Sequence, residues 1–201
     1  MILRSAPPSP FGRKVKIAAA ILDLADRITI VPTDAVTDME LRVQNPLAKI
    51  PVLVLDDGRT LFDSRVILEY LDHLAGGGRI LSKEAEPRFA ALRLQALCDG
   101  ILDASLLRVY EARYRPEEIR HAPWLDMQAG KVTRGLAAIE ADPPSIDATP
   151  NVGQITLACA LGYQDLRFKG EWRATHPKLV AWLDRFAAQV PDFAATKVQP
   201  S

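Results

Sequence analysis

Apolar and polar positions alternate in two different rhythms along the chain, and the change of rhythm divides it. In the first third, short apolar runs that suit strands alternate with stretches of helical period. Met1 to Arg4 is predicted as a short strand, and Pro10 to Leu24 as a helix with Val15, Ala18, Ala19 and Leu22 on one face. Ile28 to Val31 is β-branched and short, a second strand. Thr37 to Gln44 reads as a weak helix stopped by Asn45-Pro46. Pro51 to Leu55 is an apolar strand that Asp57-Gly58 turns back toward Thr60 to Phe62. A helix follows over Asp63 to Leu74, with Val66, Ile67, Tyr70, Leu71 and Leu74 as its apolar stripe. The order βαβ, connecting helix, ββ, α implies a mixed four-stranded sheet, because a βαβ unit needs parallel strands and a hairpin needs antiparallel ones.

Gly76-Gly77-Gly78 breaks the pattern and is positioned like a flexible linker. No convincing strand follows it. Glu86 to Arg113 is expected as one long helix, with Phe89, Leu92, Ala96, Leu97, Ala104 and Leu107 near one stripe. Pro123 to Ala141, Val152 to Leu166 and Pro177 to Ala188 complete a helical half, and Asn151 with Gln154 fits a capping box. The expected organisation is an α/β module over residues 1–78 followed by an all-α module over 84–201.

Charge narrows the choice of partners. Lys plus Arg number 25 and Asp plus Glu 25. Up to Gly78 the chain carries 9 basic and 10 acidic residues, which leaves 16 and 15 for the rest. Neither half has the basic excess that nucleic-acid binding requires. No uncharged apolar run is long enough to span a bilayer, so no membrane role is expected. Cys98 and Cys159 lie far apart with no CxxC pair and no Cys/His cluster, which argues against dithiol chemistry and a metal site. Two free thiols suit a reducing, cytoplasmic setting. His73, His121 and His176 read as solvent-facing or capping residues rather than catalysts.

Three short motifs carry chemistry. Ser9-Pro10 reads as an N-cap followed by the first residue of a helix. A hydroxyl at a positive helix end can donate to an anion, and a thiol bound there would ionise more readily. Ser5 is a rival hydroxyl, but it precedes the loop. Asn45-Pro46 to Leu53 contains Ile50-Pro51; if that bond is cis, the Ile50 N–H and C=O turn outward toward a peptide-like ligand. Asp63-Ser64 opens a helix whose N–H groups can take a carboxylate, while Asp63 can hold an ammonium group. Together the three motifs suit a small peptide bearing a thiol.

With those residues in view, the chain resembles the cytosolic glutathione transferases over nearly its whole length. The resemblance rests on Ser9-Pro10-Phe11, on Asn45-Pro46 with Lys49 to Leu53, and on Asp63-Ser64 with Ile67 to Leu71. His176-Pro177 with Leu179 and Trp182 matches the family's last helix. It implies a thioredoxin-like N-terminal domain, an all-helical C-terminal domain and glutathione as co-substrate, with no metal. Ser9 then matches the serine that donates to the glutathione thiolate, and Ile50 and Pro51 the backbone-pairing site. Lys49 matches a position near the glycyl carboxylate, and Asp63 and Ser64 the γ-glutamyl site. The family's usual homodimer is implied, with Asp99 or Asp103 reaching the partner's site. Placement between the domains makes Phe11, Arg13, Tyr110 and Tyr114 the expected electrophile pocket, although the two tyrosines, four apart, could also simply pack. The implied activity is conjugation of glutathione to a small hydrophobic electrophile. A non-catalytic glutathione-binding or protein-interaction module stays open, as does a glutathione-dependent isomerase or dehalogenase.

Overall fold

The computed structural model describes residues 1–198; the last three residues of the expected second domain lie outside the described residues. Four strands form one sheet: β1 (Ile2–Ser5), β2 (Thr29–Pro32), β3 (Val52–Val54) and β4 (Thr60–Leu61), in the order β2-β1-β3-β4. β1 runs parallel to β2 and antiparallel to β3, and β3 pairs antiparallel with β4. This is the mixed sheet the sequence implies. Its helices are α1 (Pro10–Ile21), α2 (Met39–Gln44) and α3 (Ser64–Leu74). The helical half contains α4 (Ala85–Tyr114), α5 (Ala122–Ala141), α6 (Val152–Phe168), α7 (Pro177–Gln189) and a short α8 (Pro191–Ala195). The pattern of apolar positions does not mark α8, which is a single clasped turn and a little more.

Helix α1 is sandwiched: it packs on α3 within the sheet-bearing half and on α6 in the other. Val15, Ile17 and Ala18 are fully buried there, with Ile67, Leu68 and Leu71 of α3. A β-carbon on Gly12 would lie 1.9 Å from Ser5 Oγ, so glycine is what lets the first turn of α1 close onto β1. At the start of α6, Asn151 Oδ1 accepts from the N–H groups of Gly153 and Gln154, and Gln154 Oε1 accepts from the Asn151 N–H. That capping box is the expected one.

Two expectations about helix faces and one about a linker are corrected. On α3 Ile67 and Leu71 are buried as expected and Leu68 joins them, whereas Val66 is about half exposed at 47%. On α4 the core stripe is Ala91, Cys98, Ile101, Leu102 and Ala104, while Phe89 is 66% exposed and Leu97 and Leu107 are also exposed. A helix as long as α4 packs against both α5 and α6, so its buried face shifts along its length. Gly76 to Gly78 is no flexible linker. All three glycines have positive φ, and Asp72 accepts from the N–H groups of Gly78, Arg79 and Ile80 at 2.7, 2.9 and 2.8 Å. The segment is a pinned helix terminus.

Candidate active site

The register of the sheet brings the three motifs together. Arg4 pairs with Val52 across antiparallel strands, so continuing the ladder sets Ala6 opposite Ile50. On the other side Leu53 pairs with Leu61, and the same continuation sets Asp63 opposite Pro51. The loop leading to Ser9, the Ile50-Pro51 bond and the start of α3 therefore share one end of the sheet.

Ser9 is the N-cap of α1. Its Oγ accepts from the Gly12 N–H at 3.1 Å, which leaves the hydroxyl proton free to donate outward. With Pro10 at the first helical position, the remaining N–H groups and the helix dipole make this a spot that favours an anion. Ser5, the rival hydroxyl, is 1% exposed in β1, and its Oγ reaches back to the Ala6 carbonyl at 3.4 Å. It is buried beneath Gly12 rather than presented at the loop.

Ile50-Pro51 is cis, and so is Phe62-Asp63. The approach to Ile50 is shaped by Asn45, which is buried. Its Oδ1 accepts from the Leu47 N–H at 3.0 Å and its Nδ2 donates to the Lys49 carbonyl at 2.9 Å. This clamp stabilises Ala48 in the left-handed region at φ 51. Lys49 is exposed at the rim. Asp63 caps α3 by accepting from the Arg65 N–H at 2.9 Å, and its exposed carboxylate retains acceptor capacity; Ser64 beside it is buried.

Beneath these groups lies a buried ion pair. Lys14 Nζ of α1 is 2.5 Å from Asp99 Oδ1 of α4, and Arg65 Nε of α3 is 3.0 Å from Asp99 Oδ2. Asp99 is therefore paired within its own chain by both cations. Asp103, a turn further along α4, is pushed above the ordinary aspartate range by burial, helped by the Asp99 charge and opposed by Arg65, Lys49 and Lys14.

A cavity of about 500 Å³ runs from Pro7, Pro8 and Ser9 between α1 and the helices α6, α7 and α8. Arg13 and Tyr163 are among its walls; Phe11, Tyr110 and Tyr114 are not. The Arg13 guanidinium is spent on α8. It donates to the Phe193 carbonyl and to Thr196 Oγ1, and stacks on the Phe193 ring at 4.1 Å. Phe11 is partly buried, with Lys14 Nζ 5.7 Å from its ring centre. Tyr110 and Tyr114 pack edge to face with centroids 5.3 Å apart and remain exposed. Asn45 was legible as a residue that bonds its own backbone two residues on, whereas nothing in the one-dimensional pattern marks Lys14 or Tyr163.

A serine-capped helix, a cis-proline edge and an acid-serine helix start on a mixed four-stranded sheet, backed by a helical half, define a thioredoxin-like domain joined to a largely helical one. Comparison with known proteins agrees. Residues 8–74 match the glutathione S-transferase N-terminal domain and residues 122–185 the glutathione S-transferase C-terminal domain. The uncharacterised GST-like protein YibF of Escherichia coli (strain K12) is 31% identical over 194 residues, covering 94% of each chain. A glutathione transferase family member from Pseudomonas fluorescens Pf-5, crystallised with bound glutathione, is 38% identical with a TM-score of 0.90; the match covers 100% of this chain and 98% of that one. A glutathione S-transferase from Methylobacterium radiotolerans in complex with glutathione sulfonate is 35% identical with a TM-score of 0.89, covering 100% and 95%. The chain belongs to the glutathione S-transferase family.

Proposed function

We propose that the protein is a glutathione transferase that conjugates glutathione to a small hydrophobic electrophile. In this reading residues 1–78 bind glutathione and residues 84–201 contribute the electrophile side. The observation that carries it is the Ser9 hydroxyl at the N-cap of α1, whose oxygen accepts from the Gly12 N–H and whose proton has no acceptor among the described residues. Ile50 pairs by its backbone with the cysteinyl unit beside Pro51. Asp63 and Ser64 hold the γ-glutamyl ammonium and carboxylate, and Lys49 approaches the glycyl carboxylate. Support comes from the relatives crystallised with glutathione and glutathione sulfonate.

The chemistry asked of Ser9 is modest. Lowering a thiol pKa by one unit takes about 1.4 kcal/mol of preferential thiolate stabilisation, within reach of one charge-assisted hydrogen bond at about 1.5–3 kcal/mol. The thiolate then attacks the electrophilic carbon, its sulfur lone pair forming the new bond as the leaving group departs with its own pair. No metal enters this scheme. The test is conjugation to a generic aryl halide by wild type and Ser9→Ala, with glutathione binding followed by calorimetry. Retained binding with depressed turnover in the variant supports the role; an unchanged rate removes Ser9 from the mechanism, and absence of binding removes glutathione.

The same reading includes a cytoplasmic homodimer. Val66 on α3 and Phe89 on α4 are exposed apolar residues on helices that the Arg88–Glu69 ion pair ties together at 2.6 Å, an unpartnered surface suited to a second copy. Light scattering at micromolar concentration distinguishes dimer from monomer. Two buried free thiols fit a reducing compartment.

A further inference from the structure

A single arginine holds both ends of the segment that carries Lys49 and Ile50. Through its backbone, Arg4 of β1 pairs with Val52 at the start of β3. Through its side chain it reaches the start of α2. Arg4 Nη2 donates to Asp38 Oδ2 at 2.6 Å, and Arg4 Nη1 lies 3.4 Å from Glu40 Oε2. The arginine is buried, and its Nε has no partner among the described residues. Asp38 uses its other oxygen to cap α2, accepting from the Leu41 N–H at 2.9 Å.

Helix α2 needs that hold. Its 6 residues are too few to make a helix stable by themselves. Leu41 is its one buried residue, whereas Met39 and Val43 are exposed. Among the described residues α2 packs extensively on no other helix or strand, unlike α1, α3 and α4. From its C-terminal end the bonding continues toward the site. The Asn45 N–H donates to the Leu41 carbonyl at 2.7 Å, and Asn45 Nδ2 donates to the Lys49 carbonyl at 2.9 Å. Lys49 is thus placed from the α2 side, while Ile50 and Pro51 are placed from the sheet side by the pairing of β1 with β3.

We propose that Arg4 is a positioning residue for glutathione: it sets where Lys49 meets the glycyl carboxylate, acting through Asp38, α2 and Asn45. This rests on the transferase reading and adds to it a buried residue that works only through others. Without the Asp38 charge, the buried guanidinium loses its nearest acid, and a buried cation left unpaired is costly. The element that gives way is α2, which has the least packing to resist. The displacement then reaches Lys49 and leaves Ser9, on α1, where it was.

Asp38→Asn isolates the ion pair, because asparagine caps a helix as well as aspartate does but brings no charge to Arg4. In conjugation assays it is expected to raise KM for glutathione about tenfold and to leave kcat within about twofold. By calorimetry, glutathione is expected to weaken about tenfold, and γ-glutamylcysteine, which lacks the glycyl unit, by less than about threefold. Arg4→Met removes the cation and keeps most of its volume; it is expected to give the same split and serves if Asp38→Asn does not fold. Partial unfolding alone would cut the active fraction, lowering apparent kcat with KM unchanged. A KM that stays at the wild-type value in both variants, or an equal loss for the two ligands, overturns the positioning role, while glutathione binding by the wild type preserves the transferase reading. A wild type that binds neither ligand overturns the two together.

Discussion

Lys14 Nζ and Asp99 Oδ1 stand 2.5 Å apart with both side chains almost wholly removed from solvent, tying the helix that begins at Ser9 to the long helix of the other half. An unpaired charge at that depth is expensive, whereas an apolar pair of similar volume is tolerated. Asp99→Leu is therefore expected to destabilise the protein by about 3–5 kcal/mol in urea unfolding. The double variant Lys14→Met, Asp99→Leu is expected to recover most of that loss. A double variant as unstable as the single one would show that the pair acts through packing rather than charge.

Ser9 has two separable duties. As an N-cap it accepts from Gly12, and a cap serine replaced by alanine costs about 1 kcal/mol, by glycine only a few tenths. Ser9→Gly is expected to leave the melting temperature near wild type, while turnover falls as far as in Ser9→Ala. If Ser9→Gly keeps full turnover, the hydroxyl acts only on the helix.

The thiols are shut away. Burial pushes Cys159 up to about 11 and Cys98 further still. Native protein is expected to show no reaction with a thiol reagent at pH 8 and two reactive thiols after denaturation. Because the unfolded Cys159 ionises first, its contribution to stability is complete below about pH 8.5 and is lost as pH rises toward 11. A melting temperature that rises over that window would contradict the burial of the thiol.

Asp72 carries three backbone N–H groups on one carboxylate. Asp72→Ala is expected to cost at least about 1–3 kcal/mol, the penalty for abandoning the buried Ile80 N–H, while the Gly78 and Arg79 N–H groups can turn to water. Limited proteolysis should then open the chain near Gly76 to Ile80. Resistance equal to wild type would mean the glycine turn holds without it.

Much of this was legible because it is local. Strand and helix order followed from period, and Ser9, Asn151 and Asp63 from the chemistry of helix starts. The faces of α4 were not, because Phe89 and Cys98 differ in burial only through which neighbour each meets. Gly76 to Gly78 looked mobile because the residue that pins it, Asp72, lies in the preceding helix and reads there as an ordinary surface acid. Lys14 illustrates the limit most sharply. Nothing near it in sequence announces a carboxylate 85 positions away.

The clasp between Arg13 and α8 also bears on when the site can exist. During synthesis Arg13 emerges 180 residues before the Phe193 carbonyl and 183 residues before the Thr196 hydroxyl that receive it. Until then the guanidinium, four residues after Ser9, lacks its acceptors, and the cavity beside Pro7 to Pro10 lacks its far wall. A ribosome-bound fragment that already holds the whole sheet therefore presents an unfinished pocket. Emergence of α8, rather than folding of the sheet, is what closes that cavity.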